Sequence, residues 1–159
     1  MKRSELADMP CSLAGALAEI GDAWSLMVIK ELLLGNRRFE GIRAQTGMSS
    51  NSLAQRLKAL EDHGAVSRRA YQDHPVRYEY TPTEKGISLW PVLVSLTQWG
   101  DRWVRKGAPP LSFGHRSCGH DASPVVACAR CGAPMTARDA DARMSAGMRR
   151  DRALRSRGN

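Results

Sequence analysis

Between Ser49 and Gly64 the chain runs SSNSLAQRLKALEDHG, and this stretch constrains the fold more than any other. Leu53, Leu57 and Leu60 recur at i, i+4 and i+7, a spacing that lines three side chains along one face of a helix. Small hydroxyl residues at the start supply N-cap oxygens, and Gly64 suits the position just past the last turn. Opposite the leucines stand Asn51, Gln55 and Lys58, with Ser52 and Arg56 on the flank. That back holds amides, hydroxyls and cations and nothing strongly apolar. Alone, it is the solvated face of an amphipathic helix; its neighbours decide whether it is more.

The residues before it supply a partner. Residues 1–10 read as a short arm, and from Ser12 onward Leu13, Leu17 and Ile20 fall on one face of a first helix. Residues 24–34, WSLMVIKELLL, are apolar almost all round, the pattern of a buried central helix with Trp24 in the core. Arg37-Arg38-Phe39 is too short for a helix and suits an edge strand. Residues 40–46 read as a short helix with Phe39 and Ile42 inward, and Gly47-Met48-Ser49 as a turn. Short helix, glycine-containing turn and polar-backed helix together have helix-turn-helix geometry. Residues 66–71 and 77–80 then read as two strands around the turn Gln72-Asp73-His74-Pro75. The hairpin carries Arg68, Arg69 and Arg77, cations suited to phosphates. The expected fold is mainly α with a β-hairpin wing: a winged helix-turn-helix with a small Cys/His-containing C-terminal extension.

Double-stranded DNA is the partner this plan implies. Ser49, Ser50, Asn51, Ser52, Gln55, Arg56 and Lys58 form the candidate reading surface, and Arg68, Arg69 and Arg77 the candidate phosphate contacts. The formal charge of +8 favours a polyanion, although more than half of the excess lies in residues 110–159. Within residues 37–77 basic side chains outnumber acidic ones two to one. Past Thr83, a helix expected over residues 84–104 bears Leu89, Val92, Leu93, Leu96, Trp99 and Trp103 on one broad stripe, with Pro91 bending it or marking a boundary. The stripe exceeds what a small domain needs for its own core, and a homodimer would use it to set two reading helices on successive major grooves. No signal peptide and no apolar run of transmembrane length is present, so a cytoplasmic protein is expected. Paired carboxylates, a nucleophile–base set and a nucleotide loop are all missing, which argues against an enzyme.

Gly107-Ala108-Pro109-Pro110 is the best linker in the chain. It divides a DNA-binding domain with dimerisation helices (10–106) from an extension (111–136) and a basic tail (137–159). The extension repeats a clip, His115-x2-Cys118-Gly119 and Cys128-x2-Cys131-Gly132, and three thiolates with one imidazole are a tetrahedral zinc set. His120 competes with His115 as a ligand. Free or redox-active thiols and inert packing are the other readings of these cysteines. In the tail, residues 139–155 are expected to form a thinly amphipathic helix.

C11-S-L-A-G-A-L-A-E-I-G-D-A-W24, I29-K-E-L-L-L-G-N-R-R-F39, L53-A-Q-R-L-K-A-L-E61, R77-Y-E-Y80, T83-E-K-G86 and the W99-G pair closely resemble the HxlR family of bacterial transcriptional regulators. The resemblance covers about residues 10–104. It implies a MarR-like winged helix-turn-helix homodimer that represses or activates nearby genes, often in response to oxidants, electrophiles or small metabolites. It also implies that residues 49–58 read DNA, that residues 68–77 form the wing, and that Cys11 matches a sensor cysteine of some members. Two alternatives stand beside specific DNA reading: a cysteine- or metal-dependent redox or electrophile sensor, and a protein-interaction module that keeps the fold without groove contacts.

Overall fold

The computed structural model describes residues 3–122 and 124–157. In chain order they form α1 (Arg3–Ala7), α2 (Ser12–Ile20), α3 (Ala23–Leu33), α4 (Phe39–Thr46), α5 (Ser50–Asp62), β1 (Val66–Asp73), β2 (Val76–Pro82), α6 (Glu84–Ile87), α7 (Trp90–Trp103) and α8 (Ala146–Arg157). The described residues pack as two units, one up to Trp90 together with those from Ala146 onward, the other between Pro91 and Ser145.

The first unit is built around α3. The Asp22 carboxylate starts this helix by accepting from the Ser25 amide at 2.9 Å and from the Ser25 hydroxyl. Val28, Ile29 and Leu32 are fully buried, and α3 packs against α4, α5 and β2. From α4 comes Ile42, and from α5 come Leu53, Leu57 and Leu60, all buried as the leucine spacing predicts. Each such side chain contributes roughly 1.5–3 kcal/mol by leaving water. Between α4 and α5 the chain turns at Gly47, whose φ of 70° lies where a side chain is disfavoured.

The hairpin is antiparallel, with Arg68 opposite Tyr80, Arg69 opposite Glu79 and a register shift between Ala70 and Gln72. Both strands extend beyond the expected residues. Tyr80 fastens the wing to the core: it is buried, and its amide donates to the Arg37 carbonyl at 2.8 Å. The expected edge strand at residues 37–39 is a single bridge, Arg38 to Glu79. Burial raises the Tyr80 phenol above its ordinary pKa.

Several expectations are corrected. The arm before Pro10 contains α1, which packs on α2; Glu5, Leu6 and Ala7 favour a helix, and the contact supplies what one turn lacks alone. Trp24 is 45% exposed, because α3 turns Val28, Ile29 and Leu32 inward and leaves Trp24 and Met27 outside. The helix expected over residues 84–104 is two helices. Thr83 caps the first by accepting from the Gly86 amide, and the second opens with Trp90-Pro91, in the first turn where proline lacks nothing.

In the second unit, α7 and the segment after it flank an open cleft of about 380 Å³, with Val94, Thr97 and Asp101 on one side and Leu111, Phe113 and Pro124 on the other. Val125 and Val126 form no strand and are exposed. The C-terminal helix begins at Ala146 rather than at Asp139, whose carboxylate instead caps a turn by accepting from Thr136; those bonds hold its pKa below the ordinary value. Among the described residues no single helix is long and apolar enough to cross a membrane.

Candidate nucleic-acid interface

Ser49 caps α5, accepting from the Ser52 amide at 3.1 Å, and the two hydroxyls meet at 2.9 Å. Both side chains are therefore occupied in starting the helix, while Ser50 stands exposed beside them. The outer stripe is Asn51, Ala54, Gln55, Lys58 and Asp62, all exposed. Asn51 and Gln55 approach each other at 3.5 Å, one turn apart, leaving amide donors and acceptors turned to solvent as adenine recognition requires. Between them the Ala54 methyl offers a small apolar contact of the kind that meets a thymine methyl. Ala54 carries no polar group, so the pattern of amides and cations does not single it out. Lys58 pairs with Asp62 at 2.9 Å, an exposed pair one turn apart.

Arg56 sits differently. It is half-buried, and its Nε lies 3.3 Å from Asp22 Oδ1, close enough for charge pairing but without hydrogen-bond alignment. It ties α5 to the start of α3 instead of standing on the outer stripe. On the wing, Arg68 pairs with Glu61 of α5 at 3.1 Å and lies over the Tyr78 ring at 4.7 Å. Arg69 and Arg77 are exposed, with no acidic partner among the described residues.

Two more cations join this surface. Arg38 lies 4.8 Å from the Tyr71 ring centre and 3.6 Å from Glu79. Arg37 keeps one guanidinium nitrogen buried without a hydrogen-bond partner among the described residues. With Arg77, Tyr71 and Tyr78 they line an open cleft of about 870 Å³ between the start of α4 and the wing. The adjacent arginines at 37 and 38 were the available signal, but a reading as an edge strand hid their position beside the wing. Guanidinium groups spread from the start of α4 to the hairpin can hold a phosphate backbone in register while α5 meets base edges.

The cysteines lie elsewhere. Cys11 is a free, half-buried thiol at the N-cap of α2, and its side chain makes no capping hydrogen bond. Cys118, Cys128 and Cys131 are free and belong with His115 and His120 to the second unit. The amides of Cys131 and Arg130, then the Cys131 side chain, lower the Cys128 pKa. His115 Nδ1 lies 3.2 Å from Cys118 Sγ. Among the described residues no three His, Cys, Asp or Glu side chains gather as a ready-made metal cage.

A family model described as HxlR-like helix-turn-helix matches residues 19–108. An uncharacterized HTH-type transcriptional regulator of Mycobacterium tuberculosis is 36% identical over 129 residues, spanning 80% of this chain and 82% of that protein. The crystal structure of PA1607, described as a putative transcription factor, superposes with a TM-score of 0.77 at 27% identity, over 89% of this chain and 99% of that one. The redox regulator HypR in its oxidized form superposes with a TM-score of 0.53 at 26% identity, over 62% of this chain and all of that one.

Proposed function

The chain belongs to the HxlR-like helix-turn-helix family and is a DNA-binding transcriptional regulator, not an enzyme; from that premise we propose how it reads its operator. Asn51, Ala54 and Gln55 on the exposed face of α5 contact base edges in the major groove. Arg37, Arg38, Arg69 and Arg77 hold the flanking phosphates, with Ser50 and Lys58 at the margins of the helix. Ser49 and Ser52 preserve the helix start, and Arg56 and Arg68 brace the interface from within. The observation that carries the reading is the α5 stripe itself: exposed amides on a helix whose opposite face is locked into the core.

A homodimer follows as part of the same proposal. Leu13, Leu17, Trp24 and Met27 leave an exposed apolar surface on the first unit, and Val92, Leu96, Trp99 and Trp103 another on the second. A second copy of the chain is the occupant that also gives the regulator two reading helices, matching the two-fold symmetry of an operator. Work on operator DNA places the protein in the cytoplasm.

Genomic fragments captured by the purified protein identify the operator. Asn51→Ala and Gln55→Ala should then each weaken operator binding by about 5- to 150-fold, the equivalent of roughly 1–3 kcal/mol, while binding to unrelated duplex barely changes. Equal loss on both duplexes removes the base-reading role, and equal affinity of the unaltered protein for every duplex favours an interaction module over an operator reader.

A second role has its own observation. The Cys11 thiol is free and half-buried at the N-cap of α2, where it makes no capping hydrogen bond, and a structural relative is described as a redox regulator. Oxidation or electrophile addition at Cys11 would lower operator affinity. A mobility shift unaltered by oxidant, or altered equally in Cys11→Ser, counts against it.

A further inference from the structure

The second unit builds one turn twice. In the first copy Gly114 bridges Asp121, the His115 amide donates to the His120 carbonyl at 2.8 Å, and the Gly119 amide donates back to the His115 carbonyl at 2.8 Å. Thirteen positions on, Ala127 bridges Pro134, the Cys128 amide donates to the Ala133 carbonyl at 2.8 Å, and the Gly132 amide donates to the Cys128 carbonyl at 2.8 Å. One further rung repeats as well, Ala122 to Phe113 and Met135 to Val126. Both turns close through a glycine of positive φ, 74° at Gly119 and 73° at Gly132, directly after the last sulfur.

The repeat sets metal-ligand side chains at matching places: His115 and Cys118 in one turn, Cys128 and Cys131 in the other. It also separates His115 from His120, because His120 corresponds to Ala133, which has no donor. A tight turn with donors at its first and fourth residues points both at one spot. In the first copy the imidazole and the thiol are already 3.2 Å apart.

Packing leads to the same place by another route. Among the described residues no buried hydrophobic follows Val94, and Val125 and Val126 are 69% and 65% exposed. A segment of this size without a core of its own needs a staple. None of its cysteines is in a disulfide.

We propose that the two turns are half-sites for one thiophilic divalent cation, zinc, held by the His115 imidazole and the Cys118, Cys128 and Cys131 thiolates, and that the ion draws the turns together. Three sulfurs and a nitrogen form a closed structural zinc set with no open position, and metal binding contributes directly to folding. The thiols give up their protons to solvent as the ion binds.

The test uses the full chain, purified under reducing conditions without chelator. One zinc per chain is expected, and cobalt in its place should show thiolate-to-metal charge transfer and the intense visible bands of a tetrahedral site. Cys118→Ser and Cys128→Ser should each take the metal content well below one, while Cys11→Ser leaves it at one. Since a cysteine variant can also lose its turn, thiol titration of the unaltered protein supplies a second reading: a chelator should make three further thiols reactive. Absence of metal, two ions per chain, or an unchanged thiol count after chelation overturns the proposal. So does loss of metal in His120→Ala with retention in His115→Ala, or conversion of Cys128 and Cys131 to a disulfide by mild oxidant without metal release.

Discussion

Arg77 offers the cleanest test of the proposal that the wing holds DNA. It is exposed, lies opposite Gln72 in the hairpin and has no acidic partner among the described residues, so alanine there breaks no ion pair. In a dimer the substitution deletes one phosphate contact from each half. Every such contact contributes about 0.9 to the slope of log affinity against log salt, so the slope should flatten by about 1.8. Relative to molar salt, that is a loss of about 60-fold at roughly 0.1 M and about 20-fold at roughly 0.2 M. The loss should be equal on operator and on scrambled duplex, because a phosphate contact carries no base identity. Fluorescence anisotropy over a salt series with both duplexes measures slope and specificity together. Arg68→Ala is the companion: its guanidinium already pairs with Glu61 and stacks on Tyr78, so the slope should change less. Parallel salt lines for Arg77→Ala and the unaltered protein, or a loss confined to the operator, would refute the reasoning.

Leu57→Ala should destabilise the first unit by about 2–5 kcal/mol, since the side chain is only 2% exposed and its loss leaves a cavity between α5 and the core; urea unfolding reads this as a lower midpoint, and a change below about 1 kcal/mol would contradict the packing. Lys85 donates to Glu19 of α2 and to the His63 carbonyl at the end of α5, and the hydrogen bond from Lys85 is the main cause of a lowered Glu19 pKa. A depressed carboxylate stabilises fully above its unfolded pKa and ceases to do so as pH falls through the folded value. The stability gap between the protein and Glu19→Gln should therefore be present at neutral pH, at no more than about 1 kcal/mol for so exposed a pair, and close in acid; a gap that widens in acid reverses the sign.

The helix α5 was legible because two independent signals agree on it: the leucine period gives its buried face and the Ser49 oxygen gives its first residue. The hairpin was legible too, from strand-forming residues on either side of a turn. What escaped depended on contacts distant in sequence. A helical wheel sets Arg56 on the flank and Lys58 on the outer face, but it does not show the Asp22 carboxylate that lies beside Arg56. Trp24 belongs to a segment apolar all round, and such a pattern cannot say which side meets another helix. The break between α6 and α7 was half visible in Pro91, which marks where a helix starts as readily as where one bends. In the extension, ligand spacing showed the two clips, but the duplicated backbone pairing behind them depends on amides and carbonyls that spacing does not report.

The carboxylate of Asp22 sits at an elbow, where α2 and α3 meet at 78° and where a side chain on Gly21 would strike the Leu17 carbonyl. The same carboxylate starts α3 and faces Arg56 of the reading helix. Asp22 is therefore the point at which the elbow and α5 meet. A helix of 13 residues is about 20 Å long, so a tilt of only about 5° carries its far end nearly 2 Å, more than a hydrogen bond to a base edge tolerates. On the proposed sensing role, a chemical event at Cys11, the N-cap of α2, would need to tilt α5 very little to release an operator.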